Sequence, residues 1–430
     1  MAGIDLQPVK GTRDFYPQAA RLQRWLFDHW RDVSEQFGFE PYDACVLESE
    51  ELYTRKAGDE IVGQLYNFRD KGDRPVALRP EMTPSLARMV MARQGSLALP
   101  LRWFAIPQCF RYERMQRGRK REHYQWNMDV VGLGHVAAEV ELMSAQAAFL
   151  RRVGIVLDGN APEVIWRVSD RRVLQDYLAG LQIDGERFAA VCVVIDKRDK
   201  IGRAATAELL VEQGVTAEDA ERILDLLELR GLDELEARVG VENAGVAALR
   251  QLLDLAAAAG IGHLVRIDPS VVRGLSYYTG TVWELFAEVG TFRRALAGGG
   301  RYDALLATLG GKAQPMVGFG FGDVPICELL DELGRLPALG QRVDDVVYPM
   351  VEEGFSVANR IARQLRAAGR RVLVDYSCRR FKHVIRGAEQ AGAERLLTLG
   401  RDELAEGVVA LRWLGEERQQ ERWPIDDFVV

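Results

Sequence analysis

The chain has 430 residues, of which 48% are hydrophobic and 28% are charged, a composition typical of a soluble globular protein rather than a disordered or fibrous one. At roughly 150 residues per domain, this length predicts about two to four domains. The 56 Lys and Arg residues are outnumbered by 63 Asp and Glu residues, and the net charge of -7 excludes a protein that coats nucleic acid through bulk charge. Any contact with nucleic acid must therefore be local.

The cysteines and the start of the chain bear on its compartment. Five cysteines are scattered along the sequence without a CxxC pair. This spacing argues against a disulfide scaffold or a structural zinc site, and it favours a reducing compartment. No basic flank precedes an apolar core at the N-terminus, and no window approaches the roughly 20 apolar residues that span a bilayer. We expect a cytoplasmic protein without a membrane segment.

The first predicted element is a helix that begins at Pro17 and is stopped by Gly38, because the apolar residues between them recur at helical spacing. Residues 76 to 79 resemble a strand. The helix after that strand is predicted to have Thr83 as its cap and Pro84 in its first position. A strand followed by a helix is therefore expected around the sequence LRPEMTP.

Two strands are predicted on either side of a basic hinge, at 101 to 110 and 123 to 131, and an antiparallel pair fits them best. Between about 165 and 260, short amphipathic helices indicate an inserted helical module. One of them runs from Thr216 to Leu229, where Thr216 and Asp219 have capping-box spacing.

Strand patterns return at 271 to 289 and at 316 to 321, where we expect the core to resume. From about residue 342 to the end, strand and helix patterns alternate. This βαβαβ order predicts a separate three-layer domain with a largely parallel sheet.

The densest basic window lies between residues 102 and 121 and contains a single acid, Glu113. Its basic residues are Arg102, Arg111, Arg114, Arg117, Arg119, Lys120 and Arg121. Guanidinium groups bind phosphate oxygens in a bidentate fork, so this loop could hold a polyphosphate or an RNA backbone. A solvated surface loop is the alternative, since charge runs usually face water.

The strand that follows the basic loop places Gln125, Asn127 and Asp129 on one face, because side chains alternate along a strand. Polar groups on one face of a central strand predict a ligand site. A sheet with one side in water is the alternative interpretation.

Four further side chains are candidates for a pocket. Arg273 lies close to Tyr277 and Tyr278, and it could bring a cation beside phenol donors or make a structural ion pair. Glu81 lies on a stiff turn between Pro80 and Pro84, where it could present an anion to an ammonium group or simply face solvent.

Other patterns exclude common classes of site. The sequence contains no HExxH, P-loop or GxSxG motif. The glycines of VGFGFGD do not match the dinucleotide fingerprint, and tight packing between helix and sheet is the better interpretation. The five histidines show no ligand or triad spacing, and we treat each as structural. They are His29, His123, His135, His263 and His383.

Taken together and in order, these fragments strongly resemble histidyl-tRNA synthetase, a class II aminoacyl-tRNA synthetase family. The resemblance covers nearly the whole chain, and REHYQWNMD is most similar to a bacterial and plant-organellar branch. The matching stretches are GTRDFYP at 11–17, LRPEMTPS at 78–85, FRYERMQRGRKREHYQWNMDVVG at 110–132, VRGLSYYTGTVWE at 272–284, GGRYDALLATLGG at 299–311 and GRDELAEGVVALRWL at 400–414.

The resemblance implies an α+β fold: a class II catalytic domain with a six-stranded antiparallel sheet and helices, a helical insertion, and a C-terminal α/β anticodon-binding domain. The corresponding domain ranges are 1–165 and 261–335 for the two parts of the catalytic core, 166–260 for the insertion and 342–430 for the anticodon-binding domain. It also implies a homodimer with the segment around Pro41 in the subunit interface.

The implied reaction joins L-histidine and ATP into histidyl adenylate and pyrophosphate, and then transfers histidine to histidine tRNA. Mg²⁺ is expected to bind through the ATP phosphates, and no separate metal motif is present. By resemblance, Arg111 contacts the α-phosphate and Arg273 assists the attack of the histidine carboxylate on it. Fixed guanidinium groups offset the repulsion between these anions.

The remaining roles are also implied by resemblance, residue by residue. Glu81, Thr83 and Gln125 match residues that hold the substrate ammonium, and Asp129 and Tyr278 match those that bond the imidazole, with Tyr277 beside them. Glu113 is a candidate for the ATP site, and Gln116 and Arg117 lie where the family meets the tRNA acceptor stem.

The sequence departs from the family at three positions. Pro325 replaces the ATP-binding arginine of motif 3, and we hypothesise that one of three other arginines provides the missing charge for the γ-phosphate. Ser276 stands where Asp is usual, and Asp129 stands where Glu is common. The candidate replacements for the missing charge are Arg119, Arg121 and Arg301.

Two alternatives to the enzyme remain open at this point. One is an inactive paralogue that senses histidine as a regulatory subunit of ATP phosphoribosyltransferase. The other is an RNA-binding or translation-control protein on the same scaffold, which would need only the basic loop and the last domain.

Overall fold

Two compact units make up the chain, of which the computed structural model describes residues 3–55, 62–272, 277–415 and 419–425. The larger unit holds the residues up to Leu336 except Pro17–Leu22, and the smaller unit holds Pro17–Leu22 and Pro337–Val430. Among the helices in these described ranges, none combines the length and the apolarity that a membrane crossing needs.

The strands of the larger unit form a nine-stranded sheet and a three-stranded sheet. In chain order they are β1 (Glu40–Pro41), β2 (Leu47–Ser49), β3 (Tyr66–Arg69), β4 (Pro75–Leu78), β5 (Leu101–Ala105), β6 (Gln108–Phe110), β7 (Glu122–Val131), β8 (Val164–Asp170), β9 (Val265–Ile267), β10 (Thr281–Ala287), β11 (Ala295–Arg301) and β12 (Met316–Gly322). Strands β2, β4 and β3 make the small sheet, and the others make the large one.

Six neighbouring strands of the large sheet, in the order β5-β7-β12-β11-β10-β8, pair antiparallel throughout. This confirms the predicted six-stranded antiparallel sheet. At its edges, β1 runs parallel to β5 and β9 runs parallel to β8, while β6 pairs with the start of β7. The strand predicted at 101 to 110 is divided into β5 and β6 around Pro107, which has no backbone N–H to donate.

Glycine lets two central strands approach their neighbours closely. On β11, a Cβ atom at Gly299 would overlap the Trp283 ring and the Gly318 carbonyl oxygen. The opposite face of the same strand has Gly300, where a Cβ would overlap the Tyr278 ring. The glycines therefore make room for large side chains from adjacent segments, and β11 forms although glycine is a poor strand residue.

The helices of the first 336 residues lie on the faces of the large sheet and in the segment between β8 and β9. In chain order they are α1 (Pro17–Gln36), α2 (Glu51–Thr54), α3 (Thr83–Arg93), α4 (Ala137–Arg152), α5 (Arg171–Gly180), α6 (Gly185–Asp196), α7 (Arg198–Ile201), α8 (Arg203–Glu212), α9 (Ala217–Glu228), α10 (Leu232–Val239), α11 (Ala244–Ala258), α12 (Leu305–Thr308) and α13 (Asp323–Glu332).

The predicted start of the helical segment at residue 166 is wrong, because Val164–Asp170 is the strand β8 of the large sheet. Its apolar residues Val164, Trp166 and Val168 are buried at every second position, which is the strand period. Helices begin at Arg171, where the Asp170 side chain caps α5 by accepting from the Arg172 amide. The capping of α9 by Thr216 is confirmed, since its side chain accepts from the Asp219 amide.

One apolar core joins the helical segment to the sheet. It contains Trp30 of α1, Trp126 of β7, Phe149 of α4 and Leu224 of α9, all fully buried. The Trp30 and Trp126 rings are stacked with their centroids 6.0 Å apart. Because buried aromatic area dominates the energy of a core, this side of the sheet is its structural face, and the opposite face is left for polar groups.

The smaller unit contains a five-stranded mixed sheet in the order β14-β13-β15-β16-β17. Its elements are β13 (Asp345–Pro349), α14 (Phe355–Ala367), β14 (Val372–Val374), α15 (Phe381–Gln390), β15 (Arg395–Leu399), α16 (Arg401–Glu406), β16 (Val408–Trp413) and β17 (Glu421–Pro424). The first three strands are parallel as predicted, but β16 and β17 are antiparallel. The short α16 does not provide the long crossover that a parallel strand needs.

Asp345 of β13 is the buried charge of this unit. Its side chain is inaccessible and accepts from Arg370 and, at 2.5 Å, from Nε of Arg395. The adjacent Asp344 makes a more exposed pair with Arg371. The two neighbours therefore provide a matched comparison of a buried and a surface ion pair.

We expect Asp345→Ala to destabilise the smaller unit by about 3 to 5 kcal/mol, because two arginines lose their buried partner. Asp344→Ala should leave the melting temperature nearly unchanged, since exposed pairs contribute little. Differential scanning calorimetry of the full chain measures both. Equal effects of the two substitutions would contradict the assignment of Asp345 as the buried anchor.

Candidate active site

The polar row predicted on β7 lies on the face of the sheet opposite Trp126 and is largely buried. Asn127 and Asp129 are 4% and 1% exposed, so the interpretation as a water-facing strand is wrong. The row fits against β12 only because that strand has glycine opposite it: a Cβ at Gly318 would overlap the Asp129 carboxylate. A Cβ at Gly320 would overlap the Gln125 amide in the same way. The glycines of VGFGFGD thus leave space for polar side chains, beyond the tight packing that we predicted.

Asp129 is a carboxylate held almost completely out of contact with solvent. Tyr302 donates its phenol O–H to Oδ1, while Oδ2 is buried and has no hydrogen-bond partner among the described residues. Burial raises the pKa of Asp129 to about 7, an effect that the Tyr302 hydrogen bond opposes. A buried acceptor without a partner is costly, and it fits a ligand that brings an N–H or O–H donor.

Glu81, Thr83 and Tyr277 form a polar corner of the site. Glu81 is only 5% exposed, so the alternative of a solvent-facing turn acid is wrong. The Tyr277 phenol donates to Glu81 Oε2 at 2.9 Å. The rings of Tyr277 and Tyr302 lie 5.7 Å apart, which places this corner beside Asp129.

The turn that carries Glu81 is fixed by Arg79, whose side chain is buried. Arg79 Nε donates to the Gln108 carbonyl oxygen at 2.9 Å, and Nη1 donates to the Ala44 carbonyl oxygen at 2.8 Å and to Asp43 at 2.9 Å. Thr83 is the first residue of α3 and not its cap as predicted, because the helix begins one residue earlier and Met82 occupies the capping position.

Arg111 reaches the same turn from the end of β6. Its Nε donates to the Pro80 carbonyl oxygen at 2.9 Å, and its side chain is 29% exposed. A guanidinium group that is held beside Glu81 and still partly accessible can bind an anion. Arg273, Gly274 and Ser276 lie outside the described residues, so the predicted convergence of Arg111 and Arg273 stays a prediction.

In the basic loop after Arg111, Glu113 neutralises part of the positive charge. Arg119 forms a short ion pair with Glu113, whose carboxylate lies 4.0 Å from Arg111. Arg121 stacks over the Tyr112 ring, with its guanidinium carbon 3.9 Å from the ring centroid, and its Nε donates to the Glu113 carbonyl oxygen. The loop therefore lies beside the turn at Glu81 with Arg119 and Arg121 held in place, and most of its residues are exposed, as the alternative of a solvated surface loop expects.

The two residues predicted to meet the tRNA acceptor stem are exposed at the tip of this loop. Gln116 accepts from Arg294. Arg117 donates to Thr291 and to Glu332, each at 2.6 Å. Any RNA phosphate must therefore compete with Glu332 for Arg117.

The proposal that Arg301 provides charge for the γ-phosphate is wrong. Arg301 pairs in register with Val317, and Val317 pairs with Val130, so Arg301 lies on the face of the sheet opposite Gln125 and Asp129. Its guanidinium is 8% exposed and donates to both oxygens of the fully buried Glu139 of α4. Sequence reasoning missed this because strand parity depends on the register of β11.

Pro325 lies in the first turn of α13, where proline is tolerated, and it presents no charge. The preceding Asp323 is 5% exposed and accepts from Arg13 at 2.9 Å, and Arg13 also pairs with Glu122. Sequence reasoning did not assign Arg13 or Tyr302, although both lie in the stretches GTRDFYP and GGRYD that carried the resemblance.

His123 is partly buried at the start of β7, and desolvation, followed by the charges of nearby arginines, lowers its pKa to about 3, so the ring is neutral. Within the ranges that the structure describes, no cluster of three His, Cys, Asp or Glu side chains could hold a metal ion.

Comparison with known proteins shows which family the chain belongs to. A sequence model described as histidyl-tRNA synthetase matches residues 11–322, and one described as an anticodon binding domain matches residues 345–430. The chain belongs to the histidyl-tRNA synthetase family. Among its relatives in that family, "Histidine--tRNA ligase, chloroplastic/mitochondrial" of Arabidopsis thaliana is 45% identical, covering 97% of this chain and 85% of the relative. A histidine--tRNA ligase of Opitutus terrae is 40% identical, covering 94% of this chain and 93% of the relative.

Solved structures in and around the histidyl-tRNA synthetase family share the fold. Histidyl-tRNA synthetase from Nostoc sp. PCC 7120 aligns with a TM-score of 0.78 at 24% identity, covering 99% of this chain and 98% of that one. An ATP phosphoribosyltransferase regulatory subunit/histidyl-tRNA synthetase from Bacillus halodurans C aligns with a TM-score of 0.75 at 21% identity, covering 93% and 99%. At these identities the likeness shows the fold alone.

Arg301→Ala tests the corrected role of Arg301. We expect a loss of about 3 to 5 kcal/mol in the free energy of unfolding, because Glu139 is left buried without its partner. The KM for ATP should not change. Urea denaturation and steady-state kinetics measure the two, and Arg222→Ala, which breaks an exposed pair, is the control. A raised KM for ATP with unchanged stability would restore Arg301 as an ATP contact.

Asp129→Asn should make stability less dependent on pH. The folded pKa of Asp129 is about 7, against about 3.9 in an unfolded chain, so the stabilisation from proton uptake is complete below pH 4 and is lost as the pH rises through 7. Asparagine does not titrate. The unfolding free energy of the variant relative to the unaltered protein should therefore rise by about 2 to 3 kcal/mol between pH 5 and pH 8. A difference that does not vary with pH in urea titrations would refute a buried, titrating Asp129.

Proposed function

We propose that this chain charges histidine tRNA: it joins L-histidine and ATP into histidyl adenylate, releases pyrophosphate, and transfers histidine to the tRNA. The observation that carries the proposal is the burial of two separate carboxylates, Asp129 and Glu81, with the Arg111 guanidinium beside the turn that carries Glu81. A zwitterionic amino acid with an imidazole side chain offers two donors and one carboxylate to these three groups.

Histidine binds in this proposal with its ammonium group at Glu81, Thr83 and Gln125. The imidazole bonds the unpartnered Oδ2 of Asp129 and the phenol of Tyr278, whose ring lies where a Cβ at Gly300 would be. Tyr277 contributes by orienting Glu81, since its phenol already donates to that carboxylate. Two acceptors at fixed separation select for a side chain that carries a donor at the right distance from the ammonium group.

The chemical step brings the histidine carboxylate oxygen to the α-phosphorus of ATP and expels pyrophosphate. Arg111 and Arg273 bind the α-phosphate and stabilise the charge that develops on it in the transition state. Mg²⁺, when bound through the phosphates, neutralises part of the charge on the leaving pyrophosphate. The protein contributes mainly positioning and fixed positive charge.

With Pro325 in motif 3, the γ-phosphate contact falls to Arg119 and Arg121. Both lie on the loop that carries Glu113, and both are held close to Arg111 by Glu113 and Tyr112. In the proposed mechanism Arg119 leaves Glu113 for phosphate, and Glu113 becomes free to contact the nucleotide.

The tRNA engages two regions in this proposal. Residues 345–430, which match an anticodon binding domain, bind the anticodon end, and Gln116 and Arg117 meet the acceptor stem.

We propose a homodimer whose interface includes the segment around Pro41. Leu47 and Phe68 of the small sheet are 44% and 51% exposed, as an uncovered apolar interface would be. The cytoplasmic location stays a prediction.

The alternatives are less well supported. A histidine sensor needs Asp129 and Glu81 but has no use for Arg111 beside them or for an anticodon-binding unit. An RNA-binding protein needs the basic loop but no buried carboxylates.

Histidine-dependent exchange of pyrophosphate into ATP, followed by charging of histidine tRNA, tests the function. We expect both activities, and Arg111→Ala should lower the rate constant for exchange by roughly 100-fold or more. Arg102→Ala, which breaks an ion pair with Glu141 on the structural face, is the matched control. Histidine binding without exchange would favour the sensor, and RNA binding that ignores histidine would favour the third class.

A further inference from the structure

Residues 9–12 form a β-turn before α1 that requires glycine at its third position. The Thr12 amide and hydroxyl donate to the Val9 carbonyl oxygen at 2.9 and 2.7 Å and close the turn. Gly11, at the third position, has a φ of +92°, the left-handed conformation that a type II turn needs there. The Gly11 carbonyl oxygen accepts from the Arg121 amide at 2.9 Å, so the turn is bonded to the end of the basic loop.

This turn supports both the backbone and the side chain of Arg121. The Arg121 carbonyl oxygen accepts from the Arg111 amide at 2.9 Å, so backbone hydrogen bonds link Gly11 through Arg121 to Arg111. The stem of Arg121 packs on Gly11, where a Cβ atom would lie only 2.7 to 2.9 Å from the Arg121 Cβ, Cγ and Cδ atoms. Tyr112 and Glu113 contact the guanidinium end of the same side chain. Arg121 is therefore held at both ends, and the contact with its stem requires glycine at position 11.

Arg13 anchors the turn to the sheet through two buried carboxylates. Its Nε and Nη2 donate to the Glu122 carboxylate at 3.0 and 3.1 Å, and Nη2 also donates to Asp323 at 2.9 Å. Glu122 is the first residue of β7 and directly follows Arg121, while Asp323 is the first residue of α13. Asp323 accepts from the Tyr124 amide as well, at 2.9 Å. Arg13 thus fixes its segment against the strand and the helix beside the end of the basic loop.

We propose that residues 11–13 are a positioning segment for the ATP site, in which Gly11 holds Arg121 in place for the triphosphate and Arg13 anchors Gly11. The inference rests on the proposed function, in which Arg121 contacts the γ-phosphate, and it adds the segment that places this arginine. A long side chain loses rotamer freedom when it binds a ligand. An arginine whose stem is already packed therefore binds phosphate with a smaller loss of entropy.

Gly11→Ala is the test, because its Cβ displaces the Arg121 stem and leaves every charged group of the site in the chain. We expect the affinity for ATP with Mg²⁺, measured by calorimetric titration of the full chain, to fall about tenfold, as for one lost hydrogen bond to a charged group. The affinity for L-histidine should change less than about twofold, because sites without shared contacts respond independently. Equal weakening of ATP and histidine would assign the turn a general structural role and overturn the proposal.

Gly159→Ala is the matched control. Gly159 has a φ of +95°, close to that of Gly11, but a Cβ atom there would meet nothing within 4 Å. Both substitutions introduce the same backbone strain, and only Gly11→Ala displaces an arginine. The control should leave the affinities for ATP and histidine unchanged. The same loss of ATP affinity in both variants would show that strain, and not the contact with Arg121, is the cause.

A double-mutant cycle shows whether Gly11 acts through Arg121. Arg121→Ala should weaken ATP at least about tenfold, and adding Gly11→Ala should change the affinity less than about twofold further, since the Cγ and Cδ atoms to be displaced are absent. Additive effects would overturn the inference. Weakening by Arg121→Ala without any effect of Gly11→Ala would overturn the inference alone. An Arg121→Ala variant that binds ATP normally, or an unaltered protein that binds none, would overturn the phosphate role of Arg121 and the inference together.

The anchor has its own pair of variants. Arg13→Gln should weaken ATP like Gly11→Ala, and Arg13→Lys should restore part of the affinity because its ammonium group still donates to the buried carboxylates. Full affinity for ATP in Arg13→Gln would overturn the role of the anchor. If Arg13→Gln does not fold, the Gly11 variants decide, since they retain both buried ion pairs.

Discussion

The site depends on a steric constraint. Glycines on the neighbouring strands β11 and β12 leave space that side chains from other segments fill. Gly318 and Gly320 on β12 leave the space that Asp129 and Gln125 fill, and Gly300 on β11 leaves the space for Tyr278. Any Cβ at these positions would push the polar row away from the sheet. The same closeness removes water from around Asp129, which is why its carboxyl group holds its proton so much more tightly than an exposed one.

A second constraint fixes the other wall of the cavity. The turn that carries Glu81 is short and rich in proline, and it is held by the buried Arg79, which bonds backbone carbonyl oxygens of two distant segments. Arg111 bonds the carbonyl oxygen of Pro80 from a third segment. Because these contacts are charge-assisted and largely protected from solvent, the corner that holds Glu81 is fixed in place without a ligand.

The resemblance predicted the class of fold, and local periodicity predicted the strand pair around the basic loop and the residues on one face of β7. The strand β8 and the glycine strand β11 were harder, since β8 directly precedes a long run of helices and glycine usually marks turns. Arg301 was proposed for the γ-phosphate, but its position on the opposite face follows from the pairing of β11 with β12, which no local pattern encodes. Tyr302 reaches Asp129 across the sheet, and only the register of several strands brings the two together.

The ion pair between Glu113 and Arg119 has a consequence for how anions are admitted. A loop of bare arginines would take up chloride or any other simple anion, and it would repel itself when empty. Here the resident carboxylate already satisfies one cation and lies near another, so an incoming group must displace it. Singly charged ions gain too little from that exchange, whereas a triphosphate presents several oxygens at once. Because Glu113 competes for Arg119, the unliganded loop is selective for anions that carry several charges.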